Sequence, residues 1–418
     1  MHGGVKLYHG SAGAARADVD AHGAVLEGGP AEGGVGELYA VERDLGAGNF
    51  AAAVISRLPD LDSPAYERWV AGLDGAGTPK GRLREDARAL RFIEVVINGP
   101  KGWSIAAALH PRVAQAYDAA QGRAAAEILR WVGEHSTTRV GPRGGQVHVP
   151  VERMEAVLLR RLTSRAGDPH RHLRLQISTR VVAAGGWRGV HSAGIVGAIE
   201  ALNGIGHAAV MCDPEFRAAL AAHGYTLRPE GEVVELEPYV GVLSRRAHQI
   251  AGNIDRYEAH WRREHPGQDP GAELRRRWDR MAWDDARPAK GADADRSGVA
   301  SRWDGDLRAL GFIPPEAAVR LEGTPSAGLD PDAVVEAALR RMGARPRKRW
   351  TVVDVRGAVE WSVAAAGVIA AVAIRRELVE DLTDRTFARG APGGPPSGRG
   401  STETVAAARG SMPEEALA

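Results

Sequence analysis

The run TSRAGDPHRHLRLQIS, Thr163 to Ser178, carries two imidazoles two residues apart. Alternate side chains of a β-strand share a face. His170, His172, Arg174, Gln176 and Ser178 therefore line one side, and Leu173, Leu175 and Ile177 the other. A His-x-His pair on such a polar face can present two nitrogens to one metal ion, with a further ligand from a neighbouring strand. The same alternation also describes a plain solvated strand. Where another histidine would continue the pattern, Arg174 stands instead. Arginine stays protonated and has no lone pair to give, so it cannot ligate a cation. It can grip phosphate oxygens in bidentate pairs.

Several elements must position this stretch. RFIEVVING, Arg91 to Gly99, is apolar and β-branched and stops at Gly99-Pro100, which predicts a strand. Glu94 alternates there with Val96 and Asn98. MEAVLLRRLTSR and HRHLRLQISTRVVAA predict two strands joined by the turn AGDP. Val113, Tyr117, Ala120, Ala124, Ile128 and Trp131 recur at helical spacing and predict a long helix over 111–134. Helices are expected over 192–203 and 213–223, and a hairpin around Pro229-Glu230-Gly231. The first 79 residues show little helical signal apart from SPAYERWVAGL, with Ser63 as its N-cap. From LSRRAHQI onward the pattern is charged and helical.

The 418 residues carry a net charge of +1, so no global basic field marks a nucleic-acid binder, and local patches must do that work. A single cysteine, Cys212, precludes an intrachain disulfide and fits a cytoplasmic protein. The start MHGGVKLYHG lacks the apolar run of a signal peptide. The most membrane-like segment, Trp361 to Ile374, falls short of the ~20 residues a spanning helix needs and reads as a buried helix. No contact with a membrane is expected.

Taken together, INGPKGWS, TSRAGDPHRH and LSRRAHQI resemble, in order and spacing, the motifs of the MobF-type conjugative relaxases, the TrwC relaxase-domain family. The resemblance covers roughly Val5 to Glu264 and is strongest over 92–250. It implies an α+β histidine-cluster (HUH) endonuclease fold: a central antiparallel sheet with helices packed on one face and the site on the other. Such relaxases nick one strand of single-stranded or hairpin transfer-origin DNA by tyrosine transesterification. Three histidines hold a divalent ion (Mg, Mn or Zn), and an acidic residue orients one of them.

Carried over residue by residue, the acidic position falls on Glu94, and the three metal histidines fall on Arg161, His172 and Arg174. His170 is an extra imidazole outside that set. The tyrosine positions fall on Gly28 and Gly29; Tyr8 and Tyr39 are the flanking candidates for a replacement nucleophile. Lys101, Ser104, Arg165, Arg161, Arg174 and Arg180 are the expected DNA contacts, extended by Arg139, Arg143 and Arg171. Trp103 and Trp187 would be stacking planes. The resemblance thus implies a relaxase whose metal binding is weak or absent and whose nicking is impaired, with DNA binding kept. Two alternatives are a metal-dependent phosphoesterase rearranged around His170, His172 and Glu94, and a non-enzymatic accessory of plasmid transfer, acting beside the conjugation machinery.

The expected organisation is a relaxase-like domain over 1–286, a linker over 287–298, a small helical domain over 299–390 resembling the junction to a helicase, and a disordered tail over 391–418. No G-x-x-x-x-G-K-[ST] element is present. The chain is accordingly read as shortened beside family members that continue into a RecD-like helicase, and as making no use of ATP.

Overall fold

The computed structural model describes residues 4–21, 34–43, 52–84, 86, 88–142, 145–164, 166–285, 296–344 and 350–390. Ten strands frame the site: β1 (Val5–Tyr8), β2 (Glu37–Glu42), β3 (Val54–Arg57), β4 (Phe92–Asn98), β5 (Thr137–Val140), β6 (Val147–Pro150), β7 (Arg153–Thr163), β8 (Pro169–Ser178), β9 (Arg180–Ala183) and β10 (Gly186–Gly189). Thirteen helices accompany them among the described residues: α1 (Ala12–Asp20), α2 (Ser63–Ala71), α3 (Lys101–Leu109), α4 (Pro111–His135), α5 (Ser192–Gly197), α6 (Ile199–Met211), α7 (Pro214–Ala222), α8 (Arg245–Glu264), α9 (Ala272–Asp284), α10 (Arg296–Ala309), α11 (Pro331–Gly343), α12 (Val352–Ala365) and α13 (Val372–Gly390).

The fold is α+β around an antiparallel sheet ordered β1-β4-β8-β7-β2-β3, with β9 joining β7 to β10. β8 lies between β4 and β7. Its register sets Arg174 beside Val96 and Leu159, and His172 beside Asn98 and Arg161. The opposite face, with Ile93, Val95, Leu173 and Leu175, packs on Trp103, Ile105, Tyr117 and Ile128 of α3 and α4. Gly99 makes the β4–α3 connection possible: a Cβ there would occupy the space of the Trp103 ring, whose Nε1 donates to the Gly231 carbonyl at 2.6 Å.

Helices cover the other face of the sheet too. Val19 of α1 and Tyr66, Trp69 and Val70 of α2 bury against Phe92, Val157 and Leu159, a second, smaller core. α1 carries little sequence signal, because AGAARADVD has almost no large apolar residues to show a period. α2 is capped one residue earlier than expected: Asp62, not Ser63, accepts the Ala65 N–H, at 2.7 Å.

The expected hairpin near Gly231 reduces to a single bridge, Leu227 to Val233, followed by a 3₁₀ turn over Val234–Tyr239. Pro238 inside that turn has no N–H to continue a ladder. The apolar run 361–374 is not one helix either; it breaks at Gly367, which holds φ +70° between α12 and α13. Among the described residues no helix is long and apolar enough to cross a membrane.

Segments 1–286 and 299–390, read from the sequence as two units, contribute to one core: Val359, Val363 and Leu382 belong to the same buried cluster as Ile93 and Tyr117. α12 approaches α6 closely, with Gly204 and Gly357 at the crossing, where a Cβ on either would meet backbone of the other helix. The 391–418 tail lies outside the described residues.

Candidate functional site

Arg174 projects from the middle of β8 toward α1 and α2. Its Nε and Nη2 reach Glu94 Oε2 at 2.8 and 2.7 Å, and its Nη1 reaches Asp18 Oδ2 at 2.7 Å. Gln176 Nε2 donates to the same Glu94 oxygen at 3.0 Å, and the Tyr66 hydroxyl donates to Gln176 Oε1 at 2.8 Å. The β8 face thus carries a chain of polar contacts from α2 through the sheet to α1. Glu94 is only 4% exposed. Burial alone would raise its pKa, but Arg174 and the Gln176 hydrogen bond outweigh burial and hold it below the ordinary carboxylate value.

The positions singled out from the sequence do converge. Glu94, Arg161, His172 and Arg174 share one face of adjacent strands. Arg161 is buried and its Nη1 donates to the Arg160 carbonyl at 3.1 Å. His172 Nδ1 lies 2.8 Å from the His170 carbonyl and so carries the proton there. The two imidazoles stand 4.5 Å apart, centre to centre. Tyr8 is also on this face, stacked on Phe92 at 4.4 Å, with its hydroxyl donating to the Ser11 carbonyl. Tyr39 is not: it pairs with Ala156 and points to the α4 side, donating to Glu37 at 2.6 Å. Gly28, Gly29, Arg143 and Arg165 lie outside the described residues.

The proposed DNA contacts scatter. Lys101 opens α3, half-buried beside the β7–β8 turn. Ser104 is buried, and its Oγ accepts the Arg171 N–H at 3.0 Å, fastening β8 to α3. Arg171 pairs with Asp118 of α4, on the helix side of the sheet. Arg180 donates to the Lys80 carbonyl at 2.8 Å. Trp103 has no exposed surface and is a core residue rather than a stacking plane. Trp187 stays half-buried, with Lys80 Nζ 5.4 Å from its ring centre. Arg139 is exposed on β5.

Asp18, Tyr66 and the tie between Asp168 and Arg245 are features of the site that the sequence reading does not include. Asp168, 1% exposed, sits in the β7–β8 turn, where Gly167 takes φ +74°. Its Oδ1 accepts from Arg245 Nε at 2.7 Å, and its Oδ2 faces the Ser164 hydroxyl at 3.2 Å and the Arg246 N–H at 3.4 Å. A carboxylate at a helix N-terminus is stabilised by the backbone dipoles, so Asp168 anchors the start of α8. The DP and SRR motifs meet here, through residues 77 apart in sequence. That spacing was the one available signal for the contact.

The TrwC relaxase family model matches residues 39–310. The chain belongs to the TrwC relaxase family. Solved structures similar to it include the conjugative relaxase TrwC in complex with OriT DNA in a metal-free form, at 20% identity and TM-score 0.49, over 74% of this chain and 99% of that one. A metal-bound TrwC complex with OriT DNA aligns at 22% identity and TM-score 0.47, over 61% and 84%. TrwC with a 27-mer carrying the recognition hairpin and cleavage site aligns at 19% and 0.49, over 74% and 99%. No curated protein matches.

The divalent ion that the family resemblance implies does not fit the residues present. The positions that the resemblance gives to metal histidines hold two guanidiniums and one imidazole, and guanidinium has no lone pair. Arg174 already takes the negative charge of Glu94 and Asp18. Among the described residues no group of three or more His, Cys, Asp or Glu side chains is placed to hold a metal.

Proposed function

We propose that this TrwC-family protein binds single-stranded or hairpin transfer-origin-type DNA and does not nick it. The observation that carries the reading is Arg174, whose guanidinium is locked between Glu94 and Asp18 where the family resemblance expects a metal-bound histidine. A guanidinium opposes a second cation: at an effective dielectric near 20, like charges about 4 Å apart repel by about 4 kcal/mol. With α1 drawn onto the sheet by that ion pair, the group that faces Arg174 from α1 is a carboxylate, not a nucleophilic hydroxyl.

DNA binding is supported by family membership and by the relatives solved with OriT DNA. On this reading the segment 1–286 carries the DNA face, and the helices of 299–390 brace it from behind. The protein works in the cytoplasm beside the conjugation machinery, as a non-cutting accessory of plasmid transfer. A rearranged metal phosphoesterase has less support, because Glu94 Oε2 already accepts from Arg174 and Gln176.

The test is incubation of the full chain with a labelled transfer-origin hairpin oligonucleotide and Mn²⁺. A salt-sensitive shift on a native gel with no covalent adduct on a denaturing gel is expected. An adduct would overturn the loss of nicking, with Tyr8 as the first residue to examine. Absence of binding at low salt would overturn the DNA reading.

A further inference from the structure

Two carboxylates hold the Arg174 guanidinium, and one of them comes from a helix rather than from the sheet. Glu94 of β4 takes the Nε and Nη2 side, while Asp18 of α1 meets Nη1 through Oδ2 at 2.7 Å. Both members of the Asp18–Arg174 pair are about one-fifth exposed, so solvent reaches the contact. α1 itself is lightly seated. Of its nine residues only Ala15 and Val19 are buried. Further polar ties run to α2: Arg16 donates to Glu67 at 3.0 Å and to Ser63 at 2.8 Å, and Ser63 donates to Asp20 at 2.6 Å. On the sheet, exposed Lys6 of β1 stands across from Glu94, and Arg161 of β7 stands across from His172. With Asp18 withdrawn, this stretch of the face sets Lys6, Arg161 and Arg174 against Glu94. Asp18 therefore stands where the charge balance favours an anion.

We infer that Asp18 is an internal stand-in for a DNA phosphate, and that α1 is a gate over Arg174, which a phosphodiester of single-stranded DNA opens by taking the place of Asp18. A carboxylate and a phosphodiester offer a guanidinium the same kind of charged oxygen acceptor. Glu94 keeps Arg174 aimed when Asp18 leaves, so the seat is already formed. An ion pair of this exposure favours the closed state about fivefold. The apparent affinity for a strand is lowered by the same factor. A strand held elsewhere on the protein presents its next phosphate at high effective concentration, and a free anion does not. The gate thus favours a bound strand over bulk phosphate.

The gate rests on the DNA-binding reading, and three measurements on the full chain keep their failures apart. The first is affinity for a twelve-nucleotide oligothymidine, expected to tighten about fivefold in Asp18→Asn. In a background of Glu94→Gln with Arg174→Gln, which removes the seat and its counter-charge together, the same substitution is expected to change little. A gain that persists there is plain charge repulsion and overturns the gate. The second is amide exchange of the native chain, read by mass spectrometry. Exchange in α1 is expected to rise when the oligonucleotide binds, while β4 and β8 stay protected; added protection of α1 overturns the gate. The third is modification of Arg174 by phenylglyoxal, which needs no DNA. It is expected to run about fivefold faster in Asp18→Asn than in the native chain, and inorganic phosphate is expected to slow it in the variant. Oligonucleotide binding with the affinity unchanged in Asp18→Asn and α1 exchange unmoved overturns the gate and leaves the DNA reading standing. No oligonucleotide binding, with Arg174 unmasked by Asp18→Asn and shielded by phosphate, upholds the gated anion seat and overturns the DNA reading. Neither binding nor unmasking overturns both.

Discussion

Removing the guanidinium at position 174 strands Glu94, a carboxylate 4% exposed. Breaking a buried pair in this way typically costs about 3 kcal/mol, so Arg174→Ala is expected to lower the urea midpoint clearly, with no loss of helix content. The pH dependence follows from the depressed pKa of Glu94. A carboxylate with a folded pKa below its unfolded value stabilises the protein above the unfolded value and loses that contribution as pH falls. Stability should therefore decline as pH drops through 4.5 toward the folded value, and Glu94→Gln should be less stable near neutrality but flatter across that window, by urea unfolding at each pH. The double substitution Arg161→His with Arg174→His places three imidazoles on the shared face with His172. It is expected to gain Mn²⁺ or Zn²⁺ binding by calorimetry, and the native chain is expected to show none. Heat of stoichiometric binding by the native chain would contradict the arginine account.

At the scale of elements, α1 is held by Val19 and Ala15 in a small core and by the Asp18–Arg174 pair. Both partners of that pair are about one-fifth exposed, so its worth is nearer 1 than 4 kcal/mol. Asp18→Ala is expected to raise amide exchange in α1 selectively, leaving β4 and β8 protected; uniform loss of protection would mean that α1 is integral to the sheet. The β4–α3 corner is less forgiving. Gly99→Ala must displace the Trp103 ring from the main core, and overpacking of this kind costs about 1–3 kcal/mol. These elements differ in legibility for a physical reason. β4, β7, β8 and α4 announce themselves because long runs of large apolar residues repeat at strand or helix spacing. α1 does not, because its alanines carry no period, and it is tertiary contact that makes it a helix over the site. The Asp62 cap and the break at Gly367 hinge on single-residue geometry that composition leaves open.

For the molecule as a whole, the deciding feature is a buried ion network between segments far apart in sequence. Arg375 of α13, 1% exposed, bonds Glu360 of α12 at 2.6 Å and Glu127 of α4 at 3.0 Å, and Arg356 bonds Glu360 and Glu380. Arg375→Ala leaves two buried carboxylates without that partner and is expected to cost about 3–5 kcal/mol. Because the two segments share one core, far-ultraviolet circular dichroism and tryptophan fluorescence should report a single coincident thermal transition; two separated transitions would show that 299–390 unfolds on its own. The sequence by itself determined the strands around His172, the long α4 helix and, through three spaced motifs, the family to which the chain belongs. It also determined that two expected metal positions hold arginine, since that is a matter of residue identity. What only the tertiary structure decided is what those arginines do. Whether a guanidinium meets solvent, a phosphate or a carboxylate depends on which groups the fold brings within about 3 Å, and Asp18 reaches Arg174 from 156 residues away.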